Sequence, residues 1–169
     1  RDFSVIPNII SGNKKGVEQS GGATYIYGNK IGTDINGTQA LPNSRGVYIN
    51  YGNAFIGGKL NRSNLISGNS LSGITAYSTD SLSIEYNKIG TDESGMKALS
   101  NSKGIELYSS YNNLNIEGNT ISGNDVGIYF SRKDFTNDFV SGKISGNKIG
   151  LNEEGTDTIP NVTGIYQEL

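Results

Sequence analysis

Asn87-Lys88-Ile89-Gly90-Thr91-Asp92, running on through Gly95, Ala98 and Asn101 to Gly104-Ile105, decides the fold because it occurs three times. Residues 31–46, 89–104 and 149–164 align over sixteen positions without a gap. Glycine holds the second, seventh and last columns, isoleucine opens each copy, and an Asn-Lys pair precedes it (Asn29-Lys30, Asn87-Lys88, Asn147-Lys148). A long internal repeat fixes architecture before any local signal does, since no single repeat can bury a core alone.

Working outward, the Asn-x-Ile marker recurs at Asn8, Asn29, Asn64, Asn87, Asn119 and Asn147, at spacings of 21 to 35 residues. Three positions before the marker stand Val5, Ile26, Ile84, Ile116 and Ile144; only the third unit, with Asn61, breaks the column. The flanking residues are mostly polar, which is strand alternation rather than helical spacing. A second column is glycine followed by a β-branched residue: Gly46-Val47, Gly73-Ile74, Gly104-Ile105, Gly127-Ile128 and Gly164-Ile165. In the strands that follow, Val47/Ile49, Ile74/Ala76, Ile105/Leu107 and Ile128/Phe130 are expected to face inward. Within the long segment, Ile89, Leu99 and Ile105 read as core. Each unit reads as two or three short strands separated by Gly/Asn/Ser corners, where unusual backbone angles are needed. Asparagines in register can hydrogen-bond from coil to coil.

The units alternate. Those at Asn8, Asn64 and Asn119 continue as Ile-Ser-Gly-Asn; the other three continue into the sixteen-residue segment. The true repeat is therefore a pair of coils. Its expected form is an all-β, right-handed parallel β-helix of about six coils, three two-coil repeats with long loops on alternate coils. Residues 1–169 form a single domain, read as a fragment of a longer chain. The pattern resembles the pectin-lyase-like superfamily. It is most similar to bacterial secreted or surface β-helix proteins in which Asn-x-Ile-Gly-Thr-Asp-x-x-Gly alternates with Asn-x-Ile-Ser-Gly-Asn. That resemblance implies fold, not activity, because this superfold hosts lyases, hydrolases, epimerases, tailspikes and adhesins.

Composition narrows the function. Of 169 residues, 24 are glycine and 3 proline; histidine and cysteine are absent, methionine occurs once, and the net charge is −2. Mixed charge gives no electrostatic case for nucleic acid, and no apolar run is long enough for membrane insertion. Without histidine there is no His-based acid/base catalysis, no serine or cysteine triad and no histidine metal site. The superfamily's polygalacturonase-like hydrolases and alginate epimerases, whose motifs include histidine, are disfavoured on the same ground.

The remaining candidates are few. Glu85 and Glu117 each stand two residues before a marker, on consecutive coils. In register they would lie about 5 Å apart, near the spacing of a retaining glycosidase; the alternative is a solvated pair neutralised by Lys88 and Lys143. Glu106 and Glu168 share a face but lie two coils apart. Asp34, Asp92 and Asn152 recur in the long loops, where Asx-turns explain them better than a metal does, so no metal or cofactor is expected. On the outward side of the glycine-led strands every coil presents a tyrosine: Tyr48, Tyr77, Tyr108, Tyr129 and Tyr166. Tyr25 and Tyr27 form an outward pair on another face. Residues 52–63 and 131–139 interrupt the repeat as insertions, and loops on a regular scaffold often carry function.

The expected function is a structural or binding segment of a bacterial secreted or cell-surface protein, presenting its tyrosine face to a glycan or a protein. The alternative is a carbohydrate-active enzyme, a polysaccharide lyase or glycoside hydrolase, with Glu85 and Glu117 as its catalytic candidates. Ends that stop close to or inside strands suggest end-to-end association.

Overall fold

The computed structural model describes residues 2–131 and 140–168. In chain order the strands are β1 (Asp2–Val5), β2 (Ile9–Ile10), β3 (Lys15–Ile26), β4 (Lys30–Ile31), β5 (Arg45–Gly57), β6 (Leu65–Ile66) and β7 (Ser72–Glu85). They continue as β8 (Lys88–Ile89), β9 (Lys103–Glu117), β10 (Thr120–Ile121), β11 (Val126–Ser131), β12 (Val140–Ser145), β13 (Lys148–Ile149) and β14 (Thr163–Glu168). Every pairing between strands is parallel. One sheet runs β1-β3-β5-β7-β9-β11-β14 with β12 also on β9; the other stacks the six two-residue strands β13-β10-β8-β6-β4-β2. The chain is a parallel β-helix.

The long strands correct one expectation. The glycine-led strand does not end before the next one begins. β3, β5, β7 and β9 each run across both, and the corner is a register slip inside a continuous ladder, between Ile49 and Ala54 and between Tyr77 and Thr79. Such bulges bend a strand without ending its pairing. Two outward faces result, one before the slip and one after it.

The core lies between the sheets. Its fully buried members include Ile26, Ile56, Ile84 and Ile116 from the second half of the long strands, Val47, Ile74 and Ile105 from the first, and Ile128 of β11. Ile31, Ile66, Ile89 and Ile121 come from the two-residue strands. Ile56, not position 61, fills the third unit's place, pairing with Ile26 and Ile84. Residues 52–57 thus belong to β5, and the insertion is shorter, a turn at 58–62 in which Leu60 and Asn61 take φ of 55° and 64°. The other expected insertion, at 131–139, lies outside the described residues beyond Ser131. Leu99 is half-buried; in the same column Leu41 is exposed and Ile159 buried, so this position joins the core in only one of the three long segments. Tyr111 is a core residue that alternation does not reveal: it is fully buried at the corner of β9 and donates its hydroxyl to the Ala76 carbonyl at 2.7 Å.

Two asparagine ladders join the coils. The marker asparagines pass hydrogen bonds from Asn8 through Asn29, Asn64, Asn87 and Asn119 to Asn147, each side-chain oxygen accepting from the backbone N–H and side-chain amide of its predecessor. A second ladder links Asn13, Asn43, Asn69, Asn101, Asn124 and Asn161. The glycines that lead the long strands are needed for close approach rather than for unusual angles. A Cβ on Gly104 would sit 2.6 Å from the Gly127 carbonyl oxygen, and Gly46 and Gly73 are equally tight against the next coil.

Candidate functional site

The first outward face carries the tyrosines. Parallel register aligns Tyr48, Thr75, Glu106, Tyr129 and Tyr166 in one row, and Tyr77, Tyr108, Ser131 and Glu168 in the row two residues on. The tyrosines therefore zigzag between rows. Tyr77 and Tyr108 stack directly, with centroids 4.6 Å apart and planes at 6°; Tyr129 and Tyr166 stack at 5.5 Å and 11°. Tilted contacts at 5.7 Å (Tyr48–Tyr77) and 6.5 Å (Tyr108–Tyr129) join the pairs. The structure brings all five expected residues into one ladder. Within each stacked pair the two rings cover one another's facing sides. Lys15 lies 4.0 Å from the Tyr48 ring centroid and Lys103 4.2 Å from that of Tyr129.

Glu106 lies inside this face, only 4 % exposed. Ser72 and Thr75 donate to its Oε2 at 3.0 and 3.2 Å, and Tyr108 donates to Oε1 at 2.8 Å, where Lys103 also forms an ion pair. Burial pushes the carboxyl pKa up, but Lys103, Tyr108 and Ser72 outweigh it and hold it below the usual range. Burial and the bond to Glu106 push the Tyr108 phenol up. Tyr129 is raised chiefly by its bond to Glu168. These hydroxyls are donors held by carboxylates, and they rigidify the ladder. Outward alternation alone gives no hint that Glu106 is buried; the signal is the clustering of hydroxyl and amine donors at its register neighbours.

The recurring loop residues Asp34, Asp92 and Asn152 are turn formers. Asp34 Oδ1 accepts from the Thr38 and Gln39 N–H groups at 2.8 and 3.0 Å, Asp92 Oδ1 from Met96 and Lys97 at 3.1 and 3.3 Å, and Asn152 Oδ1 from Thr156 and Asp157 at 2.9 and 3.3 Å. The bonds to Gln39 and Thr38 hold the Asp34 carboxyl below its ordinary pKa. Among the described residues no group of three or more His, Cys, Asp or Glu comes together. The single methionine, Met96, is exposed in a loop.

On the second outward face Glu85 and Glu117 pair in register, as expected. Asn115 Nδ2 donates to both, at 2.9 and 3.5 Å, Ser83 donates to Glu85, and Lys143 Nζ lies 3.9 Å from Glu117. Lys88 does not take part; its Nζ donates to the Glu93 carbonyl among the loops. Tyr25 and Tyr27 are on this face, and so is Phe55, which sequence reasoning passes over because the broken third unit hides its register.

A protein family described as periplasmic copper-binding protein (NosD) matches residues 2–163. No curated protein and no solved structure matches the chain. No helix among the described residues is long and apolar enough to cross a membrane. With its parallel coils and a match over nearly its whole length, the chain belongs to the NosD family.

Proposed function

We propose that the chain is a structural and binding segment of an extracytoplasmic bacterial protein, and that its tyrosine face docks a partner. The family's description as periplasmic supports the location. The observation that carries the binding reading is the rigid ladder of Tyr48, Tyr77, Tyr108, Tyr129 and Tyr166. The neighbouring rings and the cations of Lys15 and Lys103 crowd the faces of Tyr48, Tyr77, Tyr108 and Tyr129, which favours a flat protein surface over a sugar that needs an open ring face. Photo-crosslinkers placed at Tyr48 and Tyr166 should give a discrete adduct in the cell envelope, lost in a Tyr77→Ala/Tyr108→Ala variant. Undiminished crosslinking in that variant would refute the reading.

The residues of this chain do not fit copper. Protein copper sites draw on cysteine, histidine and methionine; the chain has neither of the first two and one exposed Met96. A second reading, a polysaccharide lyase or glycosidase, is supported by Glu85 and Glu117 sharing one amide donor beside a groove. New reducing ends that disappear in Glu85→Gln or Glu117→Gln would establish it over the first.

A further inference from the structure

The groove on the second outward face has a composition unlike the tyrosine ladder. Parallel register sets Ser4, Tyr25, Phe55, Ser83, Asn115 and Lys143 in one outward row. Tyr25 and Phe55 stack at 5.0 Å and 12°. The next residue in the row is Ser83, too small to cover the far face of Phe55. A flat aromatic face is therefore left open along the coil axis, which no stacked pair of the tyrosine ladder offers within its pair.

Polar groups converge beside that face. Glu85 takes both its bonds, from Ser83 and Asn115, on Oε1, which leaves Oε2 for a ligand. The turn at 58–62, an insertion relative to the other coils, forms one wall and brings Lys59 and Arg62. Two adjoining cavities of about 510 and 570 Å³ share Phe55, Ser83 and Glu85, a size that suits a small ligand or a short stretch of polymer.

The wall is held by a strained residue. Gly28, Gly118 and Gly146 precede marker asparagines with φ of 72°, 67° and 64°; the corresponding corner before Asn87 is Tyr86, at φ 54°. A bulky side chain in the left-handed region is an outlier of the kind that persists where surrounding structure enforces it, often at binding sites. The Tyr86 ring lies against Gly118, where a Cβ would be 2.6 Å from Cε1. Lys59 stands 5.2 Å from the ring centroid, and its ammonium is stabilised first by the Tyr86 hydroxyl and then, at longer range, by Glu117 and Glu85.

We propose that this groove is a second binding site, for a neutral saccharide chain: a sugar ring lies on the open face of Phe55, and its hydroxyls bond to Ser83, Asn115, Glu85 and Lys59. An aromatic platform flanked by acceptors and donors matches a sugar's apolar face and hydroxyl rim. The charges select for neutrality. Glu85 lines both cavities, with Lys59 and Arg62 on the wall of one and Lys143 on the wall of the other, so a chain of either charge meets its own sign. The site lies on a different face from the tyrosine ladder, and either can fail alone.

The test is calorimetry of the intact chain with cello-, chito-, manno- and xylohexaose, with hexagalacturonate and chitosan hexamer as charged comparators. One neutral hexasaccharide should bind saturably. Phe55→Ser should weaken it by about tenfold or more, a size set by one lost aromatic contact; serine already occupies this row at Ser83. Glu85→Gln, a near-isosteric change, should weaken it too and reads the same site if Phe55→Ser folds poorly by circular dichroism. Tyr77→Ala/Tyr108→Ala should bind as the wild type does. The proposal is overturned if no neutral hexasaccharide saturates at millimolar concentration, if a charged comparator binds more tightly, or if affinity follows the Tyr77/Tyr108 pair and not Phe55 and Glu85.

Discussion

Asn87→Ala removes the side chain at the middle of the first asparagine ladder. Asn87 is 1 % exposed. Its Oδ1 accepts from the Asn64 backbone N–H at 3.1 Å and from Asn64 Nδ2 at 2.8 Å; its Nδ2 donates to the Ile56 carbonyl at 2.9 Å and to Asn119 Oδ1 at 3.0 Å. Two of these partners keep another bond: Asn64 Nδ2 still reaches the Ile26 carbonyl, and Asn119 Oδ1 still accepts from the Asn87 N–H. The buried Asn64 N–H loses its acceptor. One stranded buried donor costs about 1–3 kcal/mol and each of the three other lost bonds roughly 0.5–1 kcal/mol, so the substitution should destabilise by about 2.5–6 kcal/mol. With a slope near 2 kcal/mol per M, the urea midpoint read by circular dichroism falls by roughly 1–3 M. Asn8→Ala is the control: Asn8 is exposed at the ladder's end, and its amide bonds only Asn29 and the Ile6 carbonyl. It should cost no more than about 1 kcal/mol. Equal losses in the two variants would refute the claim that the ladder's interior bonds hold the coils in register.

Gly104→Ala forces a Cβ to within 2.6 Å of the Gly127 carbonyl and should cost about 2–3 kcal/mol. Gly164→Ala, whose nearest neighbour would be Ile149 Cγ2 at 3.5 Å, should be nearly neutral in the same melts. Lys103→Met tests Glu106. In the wild type the lowered carboxyl pKa contributes stability that is present above about pH 4.3 and lost as pH falls through the folded value. Without Lys103 its bond and charge are lost while burial remains, so the folded pKa rises. The variant should then be about 2 kcal/mol less stable at pH 7, with the deficit shrinking toward pH 4; parallel stability curves from pH 3 to 7 would contradict this. Titration with copper in competition with a chelator should show no saturable uptake, since the chain lacks histidine and cysteine.

Most of the scaffold is readable because parallel coils turn spatial neighbours into columns of sequence. The Asn-x-Ile markers and the glycine-led strands expose the axis, the inward isoleucines and the tyrosine zigzag. The second asparagine ladder is hidden, since it alternates Asn13, Asn69 and Asn124 of the short coils with Asn43, Asn101 and Asn161 of the long segments, at irregular spacings. The groove is hidden for a related reason. The inserted turn at 58–62 displaces the third marker, so Ile56 and Phe55 drop out of their columns and Phe55 cannot be seen beside Tyr25. Glu106 is misread because alternation reports the side of a strand and not what neighbouring coils place around it.

The central claim is that these faces bind without chemistry. Its most direct test combines retention of the chain on insoluble polysaccharides or immobilised envelope partners with a reducing-end assay in the same tubes. The account predicts retention of the wild type with no new reducing ends; Glu85→Gln and Glu117→Gln should likewise release none, with Glu85→Gln retained less on the polysaccharide. Steady reducing-end release by the wild type, abolished by either substitution, would contradict it.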